Sequence, residues 1–130
     1  MGGDEYAKLG VARNTGTRIL CVSGDVKNPG YFEVEVGKLT MRELLYDVCG
    51  GPKDGRSFKA VIPGGSSVPC VRGEKMKDAI MDFDYLRSEL GSGLGTAAVI
   101  VMDKQTDIIK AIWRLAKFYK HESCGQCTPC

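Results

Sequence analysis

Three cysteines at a repeated two-residue spacing carry the clearest chemistry in this sequence: Cys124, Cys127 and Cys130. A Cys-x-x-Cys loop directs two thiolates into one small volume, and the repeat adds a third thiolate to that volume. Three thiolates suit three corners of a four-iron cluster, which as a rule needs a fourth thiolate from elsewhere. The run therefore predicts iron–sulfur ligation, and we expect the fourth ligand to lie outside it.

Two other uses of the cysteine run stay open. Structural zinc takes cysteine and histidine ligands, but usually as two separated pairs. A redox dithiol of the thioredoxin kind lies between a strand and a helix, whereas this run follows a helix-forming segment. The other cysteines, Cys21, Cys49 and Cys70, lie apart without patterned spacing. We expect them to be buried or half-buried small hydrophobic side chains, and one of them as the missing ligand is a less favoured alternative.

An amphipathic helix is predicted directly before the cysteines, and it would deliver them to a fixed position. Apolar side chains recur at three- and four-residue steps, with basic residues on the other face. They are Ile108, Ile109, Ile112, Leu115, Ala116 and Tyr119, with Trp113 and Phe118 broadening the stripe. We expect this stripe to pack against the core and Asp103 to cap the helix. His121, near the negative end of the helix dipole, is expected to be solvated and is not assigned to the site.

Four apolar or alternating runs upstream predict strands. They cover residues 18–22, 31–36, 58–62 and 96–102. Turn residues around Asn28–Pro29–Gly30 separate the first two runs, which predicts a β-hairpin.

A helix is predicted between the second and third strands. Thr40 offers a hydroxyl N-cap, and Glu43 completes a capping box three residues later. Gly50–Gly51–Pro52 ends this helix, so that it runs from about Thr40 to Cys49. The order strand, strand, helix, strand is that of a β-grasp (ubiquitin-like) domain. We therefore predict an α+β fold in which this domain is followed by the amphipathic helix and a Cys-rich cluster loop.

Shorter segments complete the prediction. Residues 79–81 predict a brief strand, and Asp84 is expected to cap a short helix that ends at Leu90. The first fifteen residues carry paired glycines, several charges and little periodicity, which predicts a connector (1–15). The loop 62–67 follows a strand, and its amides could accept an anion or contact a neighbouring domain. That signal is weak, because the loop lacks the lysine of a phosphate-binding loop.

Composition excludes several classes of function. The 130 residues, of which 43% are hydrophobic, can bury one core. A net charge of +2 is too small to indicate nucleic-acid binding. The sequence has no apolar run of membrane-spanning length, and its first residues lack the pattern of a signal peptide. We therefore expect a soluble intracellular protein without membrane insertion, in a reducing compartment.

Several stretches resemble one known family. Residues 118–130, FYKHESCGQCTPC, are similar to the four-iron cluster signature of the NADH-binding flavoprotein subunit of respiratory complex I (NADH:quinone oxidoreductase). Upstream, Ser23–Val26, Ile62–Ser67 and Gly93–Asp103 resemble the middle of the same subunit. The resemblance covers nearly the whole chain and is weakest before Asn14.

The resemblance implies a set of cofactors and partners. It implies a [4Fe-4S] cluster for which Cys124, Cys127 and Cys130 are three of the four ligands. FMN and NAD are implied for a preceding domain of the intact subunit, with electrons passing from NADH through the flavin to the cluster and on toward quinone. The implied partners are the other subunits of the peripheral arm of complex I. The implied location is cytoplasmic, at the inner face of the cell membrane, or the matrix side in mitochondria.

The resemblance also implies a division of the chain. Residues 1–15 would be a linker from a missing flavin and NADH domain, 16–103 the soluble-ligand-binding β-grasp domain, and 104–130 the helix and start of an iron–sulfur helical bundle. We therefore expect an internal fragment, inactive alone and without catalytic residues. Two alternatives remain: a diaphorase-type subunit of an NAD-linked hydrogenase or formate dehydrogenase, or a zinc-binding interaction module.

Overall fold

A computed structural model describes residues 2–128. Two short strands, β1 and β2, form a hairpin of their own, and five further strands form one mixed sheet in the order β4–β3–β7–β5–β6. The strands are β1 Gly10–Val11, β2 Asn14–Thr15, β3 Thr17–Gly24, β4 Gly30–Glu35, β5 Phe58–Ile62, β6 Val71–Arg72 and β7 Ala98–Asp103. The helices are α1 Gly3–Tyr6, a π-helix Glu43–Val48, a 3-10 turn Gly73–Lys75, α2 Phe83–Ser88 and α3 Ile108–Glu122.

The centre of the sheet pairs an early strand with the last one. β3 runs parallel to β7, with Cys21 opposite Ala98 and Val22 opposite Val99. The β3–β4, β5–β7 and β5–β6 pairs are antiparallel. This is the arrangement of a β-grasp domain, so the predicted fold class and the predicted β3–β4 hairpin are confirmed.

The two faces of the sheet carry different cores. Side chains alternate along a strand, and in β7 Val101 belongs to the larger core while its neighbour Met102 belongs to a smaller one. The larger core includes Leu44 and Leu45 of the π-helix. The smaller core is covered by α3, which carries the cysteines.

The helix predicted near Thr40 to Cys49 forms, but its middle is π-helical. The capping box is confirmed, because the Thr40 amide donates to Glu43 Oε2 at 2.8 Å and the Glu43 amide donates to Thr40 Oγ1 at 3.2 Å. The Cys49 amide donates to the carbonyl of Leu44, five residues back, at 2.9 Å. The wider turn points Leu44 and Leu45, both fully buried, into the core. Hydrophobic periodicity does not distinguish this turn from an α-helical one.

Two predicted helix caps are wrong. Asp82, not Asp84, caps α2, and its Oδ1 accepts from the Tyr85 amide at 2.6 Å. Asp107, not Asp103, caps α3. Asp84 lies within the first turn of α2, and Asp103 lies at the end of β7. Asp82 and Asp107 adopt extended backbone directly before the first turn of α2 and α3, so they are the caps.

Three strand predictions also need correction. Residues 79–81 make only an isolated bridge, between Ile80 and Thr40. The last strand begins at Ala98 rather than residue 96, because Gly95 and Ala97 have positive φ angles of 45° and 62° and form a turn. β6 is absent from the predicted strands, because a strand of two residues shows no periodicity in the sequence.

The segment predicted to be a connector has structure of its own. The Tyr6 hydroxyl accepts from the Thr17 amide at 2.8 Å, and the Gly10 amide donates to Glu35 Oε2 at 2.9 Å. Asn14 is buried, and its side chain contacts Asp84 and the Phe83 amide. These contacts are polar, so hydrophobic periodicity in the sequence does not predict them.

Candidate metal-binding site

Helix α3 carries the cysteine run at its carboxyl end. The Asp107 carboxylate accepts from the amides of Ile109 and Lys110 at 2.9 and 3.1 Å, which satisfies two free donors of the first turn. The helix ends at Glu122, and the amide of Ser123 donates to the Tyr119 carbonyl at 3.0 Å. Cys124 therefore follows the last turn directly.

Three half-buried side chains on one side of α3 hold it to the sheet. Ile108, Ala111 and Leu115 pack with Ile62 and Met102. Two polar contacts support this packing. The hydroxyls of Tyr119 and Ser66 lie 2.7 Å apart, and Lys59 Nζ donates to the carbonyl of Thr106, which precedes the helix.

The apolar stripe predicted to be core is mostly exposed, which corrects that prediction. Ile109 is 75% exposed and Trp113 59%, and Ile112, Phe118 and Tyr119 are also exposed. A helix on a sheet buries only the arc that faces it, and the 108, 111, 115 spacing sets that arc. Ala111, which the prediction left out, therefore packs against the sheet, while more hydrophobic neighbours do not.

The described part of the cysteine run is open to solvent. Cys124 and Cys127 are both exposed. Between them, Gly125 has a φ of 72°, a conformation that favours glycine, and its amide donates to Ser123 Oγ at 3.1 Å. Cys130 lies outside the described residues, so its predicted place beside the other two stays a prediction.

The other potential ligands lie elsewhere. Within residues 2–128, no three cysteine, histidine or acidic side chains lie close enough together to hold a metal ion. Cys49 is fully buried, and burial raises the pKa of its thiol, while Cys21 is half-buried on β3. Cys70 is exposed, which corrects the expectation that it is buried. His121 is exposed at the end of α3, with Nδ1 2.8 Å from a carboxylate oxygen of Glu122.

The donor chemistry fits a thiophilic metal centre. Both cysteines of the run within the described residues are exposed, and cysteine thiolates bind iron–sulfur clusters and zinc. The glycine at position 125 lets the backbone turn between two cysteines. Both features suit a group held at the end of α3.

The loop 62–67 uses its central amide within the fold. The amide of Gly65 donates to the Ala98 carbonyl at 2.8 Å, and the Gly64 carbonyl accepts from the Thr96 amide at 3.0 Å. Both glycines are buried against the start of β7. The loop's expected anion contact is therefore wrong for its central amide, because the sheet already uses it.

A polar cluster that the sequence did not reveal fixes the entry to α3. Asp103, 4% exposed, accepts from the amides of Gln105 and Thr106 at 2.8 and 3.1 Å and from Arg56 Nη1 at 2.8 Å. The Thr106 hydroxyl donates to Asp25 Oδ2 at 2.6 Å, which lowers the pKa of Asp25. The partners are distant in sequence, so no local motif marks the cluster.

The fold and the family comparisons define the class. Residues 18–101 match the family model of the SLBB domain, and the chain belongs to this family. Residues 110–130 match the model described as the NADH-ubiquinone oxidoreductase-F iron-sulfur binding region. That second match covers most of α3 and the whole cysteine run. No helix in the described part of the chain is long and apolar enough to cross a membrane.

Two individual relatives match the chain over almost its whole length. Over 99% of its length the chain is 62% identical to an NADH-quinone oxidoreductase subunit of Rhizobium meliloti, and it covers 30% of that protein. It is 55% identical to NADH dehydrogenase [ubiquinone] flavoprotein 1, mitochondrial, of Dictyostelium discoideum, again over 99% of its length and 27% of the relative. The resemblance to the complex I flavoprotein subunit is confirmed, and the chain spans less than a third of these relatives.

A solved structure shares the fold. The crystal structure of an NAD+-reducing [NiFe]-hydrogenase in the air-oxidized state superimposes with a TM-score of 0.79 at 27% identity. The match covers 98% of this chain and 20% of the hydrogenase chain. The fold is thus shared with a second class of NAD-linked enzyme.

Proposed function

We propose that this chain is part of the flavoprotein subunit of an NADH:quinone oxidoreductase, the part that carries a [4Fe-4S] cluster. The match of residues 110–130 to the iron–sulfur binding region supports this most directly, because it falls on α3 and the cysteines. In this proposal residues 1–15 are a linker from a flavin and NADH domain, and 16–103 are the β-grasp domain. Residues 104–130 begin an iron–sulfur helical bundle.

Cys124, Cys127 and Cys130 are the proposed cluster ligands, each as a thiolate. The bound cluster supplies one-electron transfer, and it lies in the path from NADH and FMN toward quinone. The role of α3 is to hold the thiolates at a fixed place, through its packing on Ile62 and Met102. A fourth ligand comes from outside the run, because a four-iron cluster as a rule has four thiolate ligands and the run supplies three.

The proposal includes cofactors, partners and a location, and the names of the same relatives, an NADH-quinone oxidoreductase subunit and a mitochondrial flavoprotein, support it. FMN and NAD bind to the parts of the intact subunit that this chain does not include. The partners are other subunits of the peripheral arm of complex I, at the inner face of the membrane or the matrix side in mitochondria. The chain alone has no catalytic residue in this proposal.

A diaphorase subunit of an NAD-linked hydrogenase is the second candidate, because the hydrogenase shares the fold with a TM-score of 0.79. Sequence identity separates the candidates. The chain is 62% identical to a complex I subunit and 27% identical to the hydrogenase chain. The complex I assignment is therefore preferred.

Anaerobic reconstitution of the chain with iron and sulfide tests the cluster assignment. The wild-type chain should take up iron and sulfide and give a low-temperature electron paramagnetic resonance signal after reduction. Its cluster should be lost quickly in air, because one iron lacks a protein thiolate. Cys127→Ser should abolish uptake, whereas Cys70→Ser, which removes an exposed cysteine outside the run, should leave it unchanged.

A measurement of bound zinc in the purified chain could contradict the proposal. If the purified chain held stoichiometric zinc that Cys127→Ser abolished, and took up no iron, the run would be a zinc site. Equal loss of iron in the Cys127→Ser and Cys70→Ser chains would show adventitious binding by exposed thiols. Either result would remove the support for electron transfer.

A further inference from the structure

A groove of about 610 Å³ lies where the π-helix meets the β6 edge of the sheet. Its apolar lining comes from Tyr46, Phe58 and Met76, and basic side chains Lys59, Arg72 and Lys104 also line it. A second hollow of about 290 Å³ shares Tyr46, Gly73 and Met76 with the first and adds Arg42 and Lys77. Because they share three residues, the two hollows form one surface, here called the β6 groove.

Charge in the β6 groove is one-sided. Five basic side chains line it, against one acidic side chain, Glu74. The whole chain, by contrast, has 18 basic and 16 acidic residues. Among the described residues, none of these five cations lies in an ion pair with a carboxylate. The groove therefore carries an excess of positive charge, only part of which is offset by neighbouring carboxylates such as Glu74 in its lining and Glu43 beside Arg42.

The uncharged part of the groove offers an anchor point. Tyr46 is 39% exposed, and its ring meets Phe58 edge-on with centroids 5.3 Å apart. Arg42 lies over the same ring at 5.4 Å from its centroid. A fixed aromatic ring next to cations suits a ligand that has both apolar and anionic groups.

The shape indicates a polypeptide rather than a small molecule. Small-ligand sites enclose most of their ligand, whereas this groove lies open along β6. Among the described strands, the two-residue strand β6 ends the sheet and pairs with β5 alone, so no strand covers its outer edge. An extended segment could follow that edge, with side chains reaching the groove.

We propose that the β6 groove docks an acidic polypeptide segment with an apolar anchor residue, supplied by a partner protein. Carboxylates of the segment meet Arg72 and Lys104, and the anchor contacts Tyr46. We choose an acidic partner because its carboxylates would complement the five basic side chains that line the groove. The proposal does not depend on the cluster, because the groove belongs to the sheet and the π-helix and not to the cysteine loop.

Fluorescence anisotropy with the chain and a labelled peptide of alternating glutamate and phenylalanine tests the proposal. Peptides with lysine for glutamate, or serine for phenylalanine, are the ligand controls. The double variant Arg72→Glu/Lys104→Glu should weaken binding at least about tenfold, since it reverses two ionic contacts. Lys27→Glu/Lys38→Glu, with the same change in net charge at exposed sites outside the groove, should bind like wild type. Thermal unfolding checks that both variants are folded.

Three results would overturn the proposal. Equal weakening by the two double variants would show attraction by net charge alone. Equal affinity for the phenylalanine and serine peptides would show that no anchor is bound. Displacement of the peptide by inorganic triphosphate at a lower concentration than unlabelled peptide requires would make this a site for small anions.

Discussion

At the scale of single residues, Asp103 accepts hydrogen bonds from more groups than any other carboxylate of residues 2–128. Asp103 is buried at the end of β7, where it accepts hydrogen bonds from two backbone amides and from Arg56. Arg56 also contacts Asp54, which is more than half exposed. One guanidinium thus bridges a buried and an exposed carboxylate, and burial decides which of them matters for stability.

Replacement of Asp103 by alanine should destabilise the fold by about 2–4 kcal/mol, because it leaves Nη1 of Arg56 and two backbone amides without their acceptor. Asp54→Ala removes the exposed partner of the same arginine and should cost less than about 1 kcal/mol. Urea unfolding of both variants measures the difference. Similar costs for the two would mean that burial does not set the value of this cluster.

Acid should weaken the fold partly through Asp25. The hydroxyl of Thr106 is the main cause that lowers the pKa of Asp25 in the folded chain. A carboxylate with a lowered folded pKa contributes stability above its unfolded pKa, about 3.9, and loses it as the pH falls through the folded value. The Asp25→Asn chain should therefore lose less stability than wild type on acidification below about pH 5.

Denaturant unfolding at stepped pH checks this, with Asp78→Asn as the control. Asp78 is exposed and forms no hydrogen bond or ion pair within the described part of the chain, so this variant should keep the wild-type acid dependence. Identical acid profiles for wild type and Asp25→Asn would contradict the role of the Thr106 contact.

At this scale, the sequence predicts side-chain contacts only between residues that are close together in the chain. The Thr40–Glu43 capping box is local and was predicted. The sequence predicts Asp103 as the cap of α3, whereas Asp107 is the cap. Both aspartates precede the helix, and either could cap it. Asp25 and Asp103 are 78 positions apart in the sequence, so no local pattern predicts the hydrogen bond between them.

At the scale of elements, α3 is a helix attached by a narrow contact. Its pattern predicted the helix and its amphipathicity, but not which arc would face the sheet. The arc is set by Ile108, Ala111 and Leu115. A hydrophobic stripe wider than its contact leaves apolar side chains in solvent, and sequence alone does not show where the contact ends.

Leu115→Ala should destabilise the attachment of α3 by about 1–2 kcal/mol, since the side chain is half-buried against the smaller core. Ile112→Ala, at a position 57% exposed, should change stability by less than about 0.5 kcal/mol. Hydrogen exchange of the α3 amides reports attachment directly. Faster exchange is expected only for Leu115→Ala, and the same exchange rates in both variants would argue against the packing described.

At the scale of the whole molecule, the β-grasp order was predictable because each element has its own local signal. Strand register, β6 and the π-helical turn were not, since they depend on pairing and packing across the chain. The predicted cysteine site remains a prediction, because Cys130 lies outside the described residues.

The whole chain should neither bind FMN tightly nor oxidise NADH. In a dinucleotide fold a strand leads through a glycine-rich turn into a helix, whereas β3 leads through Gly24 into the antiparallel strand β4. Flavin fluorescence titration, together with an NADH and ferricyanide assay, checks this. Turnover by the pure chain would show that a site for these cofactors lies within it.

The parallel pair at the centre of the sheet also sets the order of assembly during synthesis. Contact between Ser23 and Val99 bridges 76 positions of the chain, so this pair closes a long loop, while the β3–β4 hairpin closes a short one. On the ribosome the hairpin can pair early, but the gap beside β3 stays open until β7 has emerged. Helix α3 and the cysteines emerge next. The cysteines thus leave the ribosome only after all the strands against which α3 packs have emerged.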